Sequence, residues 1–249
     1  MHVIQSLQNT KVKEWKKLTT KKGRDKSGLF LVEGWHLTEE AIKADAVIEA
    51  IVKEGIELPS YMEAVEIHFV TEEISLALAE TEHTQGVFAV CRQPEVQFET
   101  LHATNILMLD AIQDPGNIGT MIRTADAAGM DAVILGKGTA DPYNAKVLRS
   151  AQGSHFHLPI LKQDLFSVIE HCKGSEIPVY GTSLQGAVHY KEASTNEKFA
   201  LIMGNEGAGV NSELLALTNQ NLYIPIYGKS ESLNVAIAAG ILLYHLKGE

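Results

Sequence analysis

Short apolar runs alternate along this chain with segments of helical spacing. In the first third, residues 29–32, 47–52, 67–70 and 87–90 read as strands, and 37–44, 59–64 and 72–79 as helices. Residues 3–18 predict one amphipathic helix with Trp15 and Leu18 on its apolar side, followed by a basic loop at 21–28. Strand and helix alternate, so residues 1–95 predict a small α/β domain. Residues 93–105 are polar, carry Pro94 and lack periodicity, which marks a linker.

The second part repeats the alternation. Residues 106–109 predict a buried strand ending at Asp110, and Asp114-Pro115-Gly116 a turn. A helix follows at 117–128, stopped by Gly129. Strands are predicted at 132–135, 157–160, 179–181, 199–203 and 222–226, the last interrupted by Pro225, with helices at 143–150 and 165–171. A final helix starts near Ser232. It is apolar nearly all round, through Leu233, Val235, Ile237, Ile241, Leu242 and Leu243, and so is expected to be buried. This β–α order makes residues 105–249 an α/β domain with a mostly parallel sheet and helices on both faces. Two loops, Gly204-Asn205-Glu206-Gly207-Ala208-Gly209 and 227–231, leave the carboxyl ends of strands, where open sheets form small-molecule crevices.

Length and composition set outer bounds. A chain of 249 residues suits one or two domains, and 45% hydrophobic residues suffice for packed cores. No run approaches the roughly 18 apolar residues of a membrane span. Met1-His2-Val3 leads into polar sequence rather than a signal-peptide core, and Cys91 and Cys172 form no motif. A reduced, cytoplasmic protein is expected.

The net charge of −10 argues against nucleic acid until its distribution is considered. Residues 1–28 hold eight of the 21 basic and two of the 31 acidic residues, leaving 13 basic against 29 acidic elsewhere. A basic arm on an acidic body points to a local anionic partner. Lys16, Lys17, Lys21, Lys22 and Arg24 are its candidate RNA contacts, against the ordinary alternative of a solvated helix face.

Several motifs fail on inspection. Gly228-Lys229-Ser230 lacks the earlier glycine of a phosphate-binding loop, since Tyr223 stands five residues before it. Gly204, Gly207 and Gly209 run opposite to a dinucleotide fingerprint, which counts against a nicotinamide-dependent oxidoreductase. His155 and His157 alternate on a strand-like segment without a third ligand nearby, so packing is preferred to zinc, and no metal is assigned. There is no Gly-x-Ser-x-Gly elbow.

Three segments, DAIQDPGNIGTMIRTADAA at 110–128, IMGNEGAGV at 202–210 and IPIYGKSESLNVAIAA at 224–239, are together more specific. Their order and residues resemble the three motifs of the SpoU/TrmH family of RNA ribose 2′-O-methyltransferases. Ser6, Asn9, Lys11, the basic run to Arg24 and Phe30-Leu31-Val32-Glu33-Gly34 resemble that family's substrate-binding extension. The resemblance implies a C-terminal domain with a deep trefoil knot of the SPOUT type, which general topological rules would exclude. It implies S-adenosylmethionine as cofactor, with Gly204, Ile224 and Leu233 at cofactor positions and Leu184, Thr182 and Ser183 lining the same pocket. It also implies a homodimer through the final helix and the first catalytic helix. The extension resembles the rRNA-directed branch, which favours 23S rRNA over tRNA. A non-catalytic RNA-binding relative is disfavoured by intact Asn117, Arg123, Glu206 and Asn234.

The family's proposal makes Arg123 the base or activator of the ribose hydroxyl. A guanidinium pKa above about 12 makes a neutral arginine costly at pH 7. Arg123 is therefore read as a bidentate phosphate clamp that lowers the hydroxyl's pKa, with Asn117, Glu206 and Asn234 orienting it and the ribose. Each of those three has an ordinary alternative. Glu206 could be a turn residue satisfying backbone amides, Asn117 a helix N-cap, and Asn234 a first-turn residue. Arg123, on a small and apolar helix segment, has no such easy role.

Overall fold

The computed structural model describes residues 3–248. The chain forms two compact units, one of residues up to Glu95 together with Tyr143–His157, the other of Val96–Pro142 with Leu158–Glu249.

In the first unit the elements are β1 (Val3–Ile4), α1 (Thr10–Lys17), α2 (Lys21–Ser27), β2 (Leu29–Glu33), α3 (Trp35–Lys43), β3 (Val47–Lys53), β4 (Ile67–Val70), α4 (Glu72–Leu78) and β5 (Val87–Arg92). A 3-10 turn, Ser60–Met62, stands where a short helix is predicted. The strands make one mixed sheet, ordered β1-β4-β3-β5-β2, in which β5 runs antiparallel to both neighbours.

The amino-terminal segment departs from its predicted form. Residues 3 and 4 pair with β4 as a strand, and α1 begins only after Asn9, whose side chain caps it by accepting from the Lys11 N–H at 2.9 Å. The segment read as a basic loop is the helix α2. Thr20 caps it by accepting from the Gly23 N–H at 3.2 Å, and Gly28 ends it in the left-handed region at φ 67°. Gly23, which suggests a loop, is there for close approach: a Cβ at this position would lie 1.9 Å from the Lys17 carbonyl oxygen. Lys16, Lys17, Lys21 and Lys22 are exposed. Arg24 is placed differently, only 4% exposed, with its Nη1 donating to the Leu18 carbonyl at 2.7 Å and tying α2 to the end of α1.

The second unit comprises β6 (Asn105–Asp110), α5 (Pro115–Ala127), β7 (Ala132–Leu135), β8 (Ile160–Lys162), α7 (Leu165–Gly174), β9 (Val179–Thr182), β10 (Val188–His189), β11 (Phe199–Gly204), α8 (Ser212–Leu215), β12 (Gln220–Tyr223) and α9 (Val235–Lys247). Between β7 and β8 the chain leaves this unit. Its 143–157 excursion, with helix α6 (Ala145–Ala151), joins the first unit's core, where Tyr143 and Leu148 pack with Phe30, Val32, Leu37 and Cys91. His155 lies in a 3-10 turn, Ser154–Phe156, and the following strand starts at Ile160, so the strand predicted from His157 begins three residues later.

All seven strands of the second sheet are parallel, in the order β10-β12-β9-β11-β6-β7-β8. This is the mixed α/β architecture with a parallel sheet that the alternation predicts. The short β10 and α8 are additions the sequence pattern does not announce. β12 stops before Pro225, which cannot donate to the ladder. The core runs along both faces of β6, β7, β9 and β11. α9 is only partly buried, contrary to expectation. Ala236, Ala239, Leu242, Leu243 and Leu246 face inward, while Ile237 is 55% and Tyr244 58% exposed. Among the described residues no helix is long and apolar enough to cross a membrane.

Candidate active site

The chain moves outward from β6 through β7 to β8, then returns to build β11 and β9 on the other side of β6. The sheet therefore switches direction between β6 and β11, which are in register from Phe199–Asn105 to Gly204–Asp110. Loops diverge at such a switch and leave a crevice at the carboxyl edge. Four loops meet there: 111–114 after β6, 183–187 after β9, 205–211 after β11, and 224–234 after β12.

Local chemistry shapes each loop. Ala111 takes a left-handed backbone at φ 54°, which costs a non-glycine residue about 1 kcal/mol. Its carbonyl accepts from Asn205 Nδ2 at 2.8 Å, which joins the loop after β6 to the loop after β11. Asn205 also braces its own turn. Its Oδ1 accepts from the N–H groups of Gly207 and Ala208, both at 3.0 Å, and its backbone exchanges bonds of 3.0 and 2.9 Å with Gly209. Gly204 is required by this turn, since a Cβ there would lie 2.1 Å from the Val210 nitrogen and 2.2 Å from the Gly209 carbonyl carbon. The backbone it admits is thus the protein's own.

Glu206 projects from the braced turn onto the start of α5. Its carboxylate accepts from the Asp114 N–H and from Asn117 Nδ2, each at 3.1 Å, and from the Gln113 N–H at 3.3 Å. Partial burial pushes its pKa up, but the Asn117 amide and the backbone N–H groups outweigh this and hold it below the ordinary carboxylate value. Asn117 turns its Oδ1 the other way and accepts from Asn234 Nδ2 at 2.9 Å. Asn234 in turn caps α9, accepting from Ala236 N–H at 2.9 Å and Ile237 N–H at 3.3 Å. The N-cap of α5 is Asp114, which accepts from the Asn117 N–H at 2.9 Å, and Pro115 sits in the first turn where it forfeits no bond. Neither Asn117 nor Asn234 therefore holds the ordinary role considered for it: Asn117 is a link, and Asn234 a cap.

Glu206, Asn117 and Asn234 form one hydrogen-bonded chain across three loops. Arg123 is not part of it. Six residues beyond Asn117, it lies about 9 Å further along α5 and roughly 120° around the axis. Its side chain is exposed and makes no hydrogen bond or ion pair among the described residues.

The other singled-out residues lie on the same edge. Thr182 ends β9 and donates from Oγ1 to the Ile202 carbonyl at 3.1 Å, and Ser183 Oγ donates to the Gln185 carbonyl at 2.9 Å. Leu184 is 75% and Tyr227 91% exposed, and Leu233 is also exposed. The loops after β9 and β12 thus present large apolar side chains to solvent. Sequence reasoning passed over Asn205 and Asp110, whose Oδ2 accepts from the Asn211 N–H at 2.7 Å. The signal for both was a polar residue at the carboxyl end of an otherwise apolar strand.

Residues 104–244 match the model of the SpoU rRNA Methylase family, and residues 9–89 that of an MRM3-like substrate binding domain. The chain is 53% identical over 250 residues, covering all of both chains, to the 23S rRNA (guanosine(2553)-2′-O)-methyltransferase RlmP of Bacillus subtilis. An AdoMet-bound rRNA methyltransferase from Sinorhizobium meliloti superposes with TM-score 0.88 at 31% identity, covering 98% of this chain and 97% of that one. The SpoU methyltransferase AviRb from Streptomyces viridochromogenes, in complex with AdoMet, does so with TM-score 0.86 at 26% identity, covering 96% and 97%.

Proposed function

The chain belongs to the SpoU rRNA methylase family, and from that premise we propose that its carboxyl-edge loops methylate a guanosine ribose in 23S rRNA. It is an S-adenosylmethionine-dependent RNA 2′-O-methyltransferase. The target nucleotide is taken to be the counterpart of the one named for the B. subtilis relative, and the cytoplasm, where ribosomes are built, is its place of work. Residues 105–249 are read as the catalytic domain and residues 1–95 as the RNA-binding domain.

The observation that carries the site assignment is the Glu206–Asn117–Asn234 chain at the switch point. It ties together three loops that leave different strands. Gly204, Ile224, Leu233, Leu184, Thr182 and Ser183 would hold the cofactor, whose chemistry is an activated methyl on a sulfonium. What remains for the protein is largely positioning. Arg123 grips the phosphate next to the target ribose through two of its guanidinium nitrogens and, by its charge, makes the 2′-hydroxyl more acidic. Its freedom from any partner among the described residues supports this role. Asn117 and Asn234 set the ribose, and Glu206 holds Asn117. The test is mapping of ribose methylation in 23S rRNA and in tRNA incubated with the protein and S-adenosylmethionine. Methylation confined to tRNA would replace the rRNA assignment.

A knotted C-terminus is supported by what surrounds α9. At one end Asn234 bonds to the start of α5. At the other, the Asn196 N–H donates to the Leu246 carbonyl at 3.0 Å, and His245 Nε2 lies 3.1 Å from the Ala193 carbonyl oxygen. Residues 193 and 196, which precede β11, thus bond to the last turn of the final helix. A homodimer is supported by the exposed Ile237 and Tyr244 on α9, with the half-buried Ile241 between them, beside α5. A dimer is expected in sedimentation at micromolar concentration, and a monomer there would remove the interface.

Lys16, Lys17, Lys21 and Lys22 are read as phosphate-binding residues. Lys21 and Lys22 occupy the first turn of α2, where the helix dipole disfavours cations, so they are not placed for stability. Changing all four to glutamine is expected to weaken binding of a 23S rRNA fragment and to flatten its salt dependence by roughly 0.7–0.9 in log–log slope for each phosphate no longer neutralised. Calorimetric titration with S-adenosylmethionine should be unaffected. Parental affinity and slope would make the arm a solvated face.

A further inference from the structure

The first unit carries a cavity that the methyl-transfer chemistry leaves unused. It measures about 400 Å³, within the range of small-ligand sites. Trp35 and His36 at the start of α3, His83 and Gln85 before β5, and Arg149 and Gln152 at the end of α6 form its walls.

Those walls are held by their own hydrogen bonds. Gln85 Oε1 accepts from the Trp35 N–H at 2.9 Å, and His36 Nε2 lies 3.1 Å from the Gln152 carbonyl oxygen. Gln152 Nε2 donates to the Arg149 carbonyl at 2.6 Å. Glu33, the carboxylate beside the cavity, is engaged by the Glu80 N–H at 3.1 Å and by the Thr81 hydroxyl. Arg149 is the exception. Its Nη1 is buried without a hydrogen-bond partner, and its guanidinium forms no ion pair among the described residues. A buried charged donor left unmade destabilises a fold, and a ligand group that reaches it relieves that cost.

The lining says which partner. The planar, charged donor fork of a guanidinium in the wall suits a phosphate. The half-buried Trp35 indole and the exposed rings of His36 and His83 offer faces on which a base can stack. Arg149 also borders a second hollow with Leu18, Thr19 and Arg24, at the turn between α1 and α2. The exposed lysines of the basic arm flank that turn, so a polyanion following them arrives at Arg149.

We propose that this cavity takes one unstacked nucleotide of the RNA, its phosphate on Arg149 and its base against Trp35, His36 and His83. This rests on the RNA-substrate reading but not on the methyl-transfer site. The test uses the full-length protein, a single-stranded 23S rRNA fragment and two variants. Arg149→Met is expected to keep or raise the melting temperature, because it removes an unsatisfied donor. It should weaken RNA binding about tenfold and lower the salt slope by roughly 0.7–0.9, the signature of one phosphate. His83→Ala, on an exposed turn, should weaken binding severalfold without changing the slope, as loss of a stacking face does. S-adenosylmethionine binding should be parental in both. A lower melting temperature with parental RNA affinity would make Arg149 a packing residue and overturn the proposal. If Arg149→Met loses stability and affinity together, His83→Ala decides, and parental affinity there overturns it. A parent protein that does not bind the fragment overturns the RNA reading as well, whereas failure of this inference alone leaves parental RNA binding intact.

Discussion

Arg123→Ala is expected to give a folded, cofactor-binding protein whose methyl transfer is slower by about a hundredfold or more, the scale of losing a positioned charge donor at a reacting centre. Stability should be spared for two reasons. The guanidinium is exposed with no bond among the described residues to lose, and alanine suits the middle of a helix such as α5. Cofactor binding should be spared because the residues assigned to it lie on the loops after β9, β11 and β12. Arg123→Lys separates two mechanisms. Lysine keeps the charge but loses the planar fork, so a phosphate clamp predicts little rescue. Proton abstraction predicts recovery at high pH, since an ammonium deprotonates far more readily than a guanidinium. Single-turnover methylation of a 23S rRNA fragment from pH 6 to 10 distinguishes them. A lysine variant that reaches the parental rate at high pH would rule out the clamp, and an alanine variant with parental activity would remove Arg123 from the mechanism.

Gly204→Ala should be the most damaging small substitution at the carboxyl edge. The new methyl would sit 2.1 Å from the Val210 nitrogen and 2.2 Å from the Gly209 carbonyl carbon. Both are backbone atoms that no rotamer change can move. They belong to a turn fastened by the Asn205–Gly209 pair and by Asn205 Oδ1. The turn must shift as a body, which draws Glu206 from Gln113, Asp114 and Asn117. Overpacking of this kind costs about 3 kcal/mol. A lower melting temperature and at least a tenfold loss of S-adenosylmethionine affinity are expected by calorimetry. Parental values for both would mean that the turn relaxes freely and that the Glu206 chain does not order the site.

The sequence by itself determined ten of the twelve strands among the described residues to within three residues, and missed the short β1 and β10. Four to six apolar residues between turn formers can satisfy their side chains only by burial, and that is a local property. It also singled out Glu206, Asn117 and Asn234, which the fold brings into one hydrogen-bonded chain. What it left open depended on parts of the chain far apart. Gly23 and the lysines around it suggested a loop, whereas α2 forms there between the Thr20 and Gly28 caps, and Gly23 serves the close approach of the Lys17 carbonyl. Arg24 belonged by pattern to the exposed arm, yet it is buried because the Leu18 carbonyl lies within its reach. Asn117 looked like a cap, and only the arrival of Glu206, 89 residues later, and of Asn234, 117 residues later, made it a link. The exposure of Ile237 and Tyr244 on α9 was equally invisible, since an all-apolar helix reads the same whether its last face meets its own chain or another. Hydrophobic period is written in neighbouring residues, but a hydrogen-bond network and a buried face are settled by which distant segments the sheet order brings together.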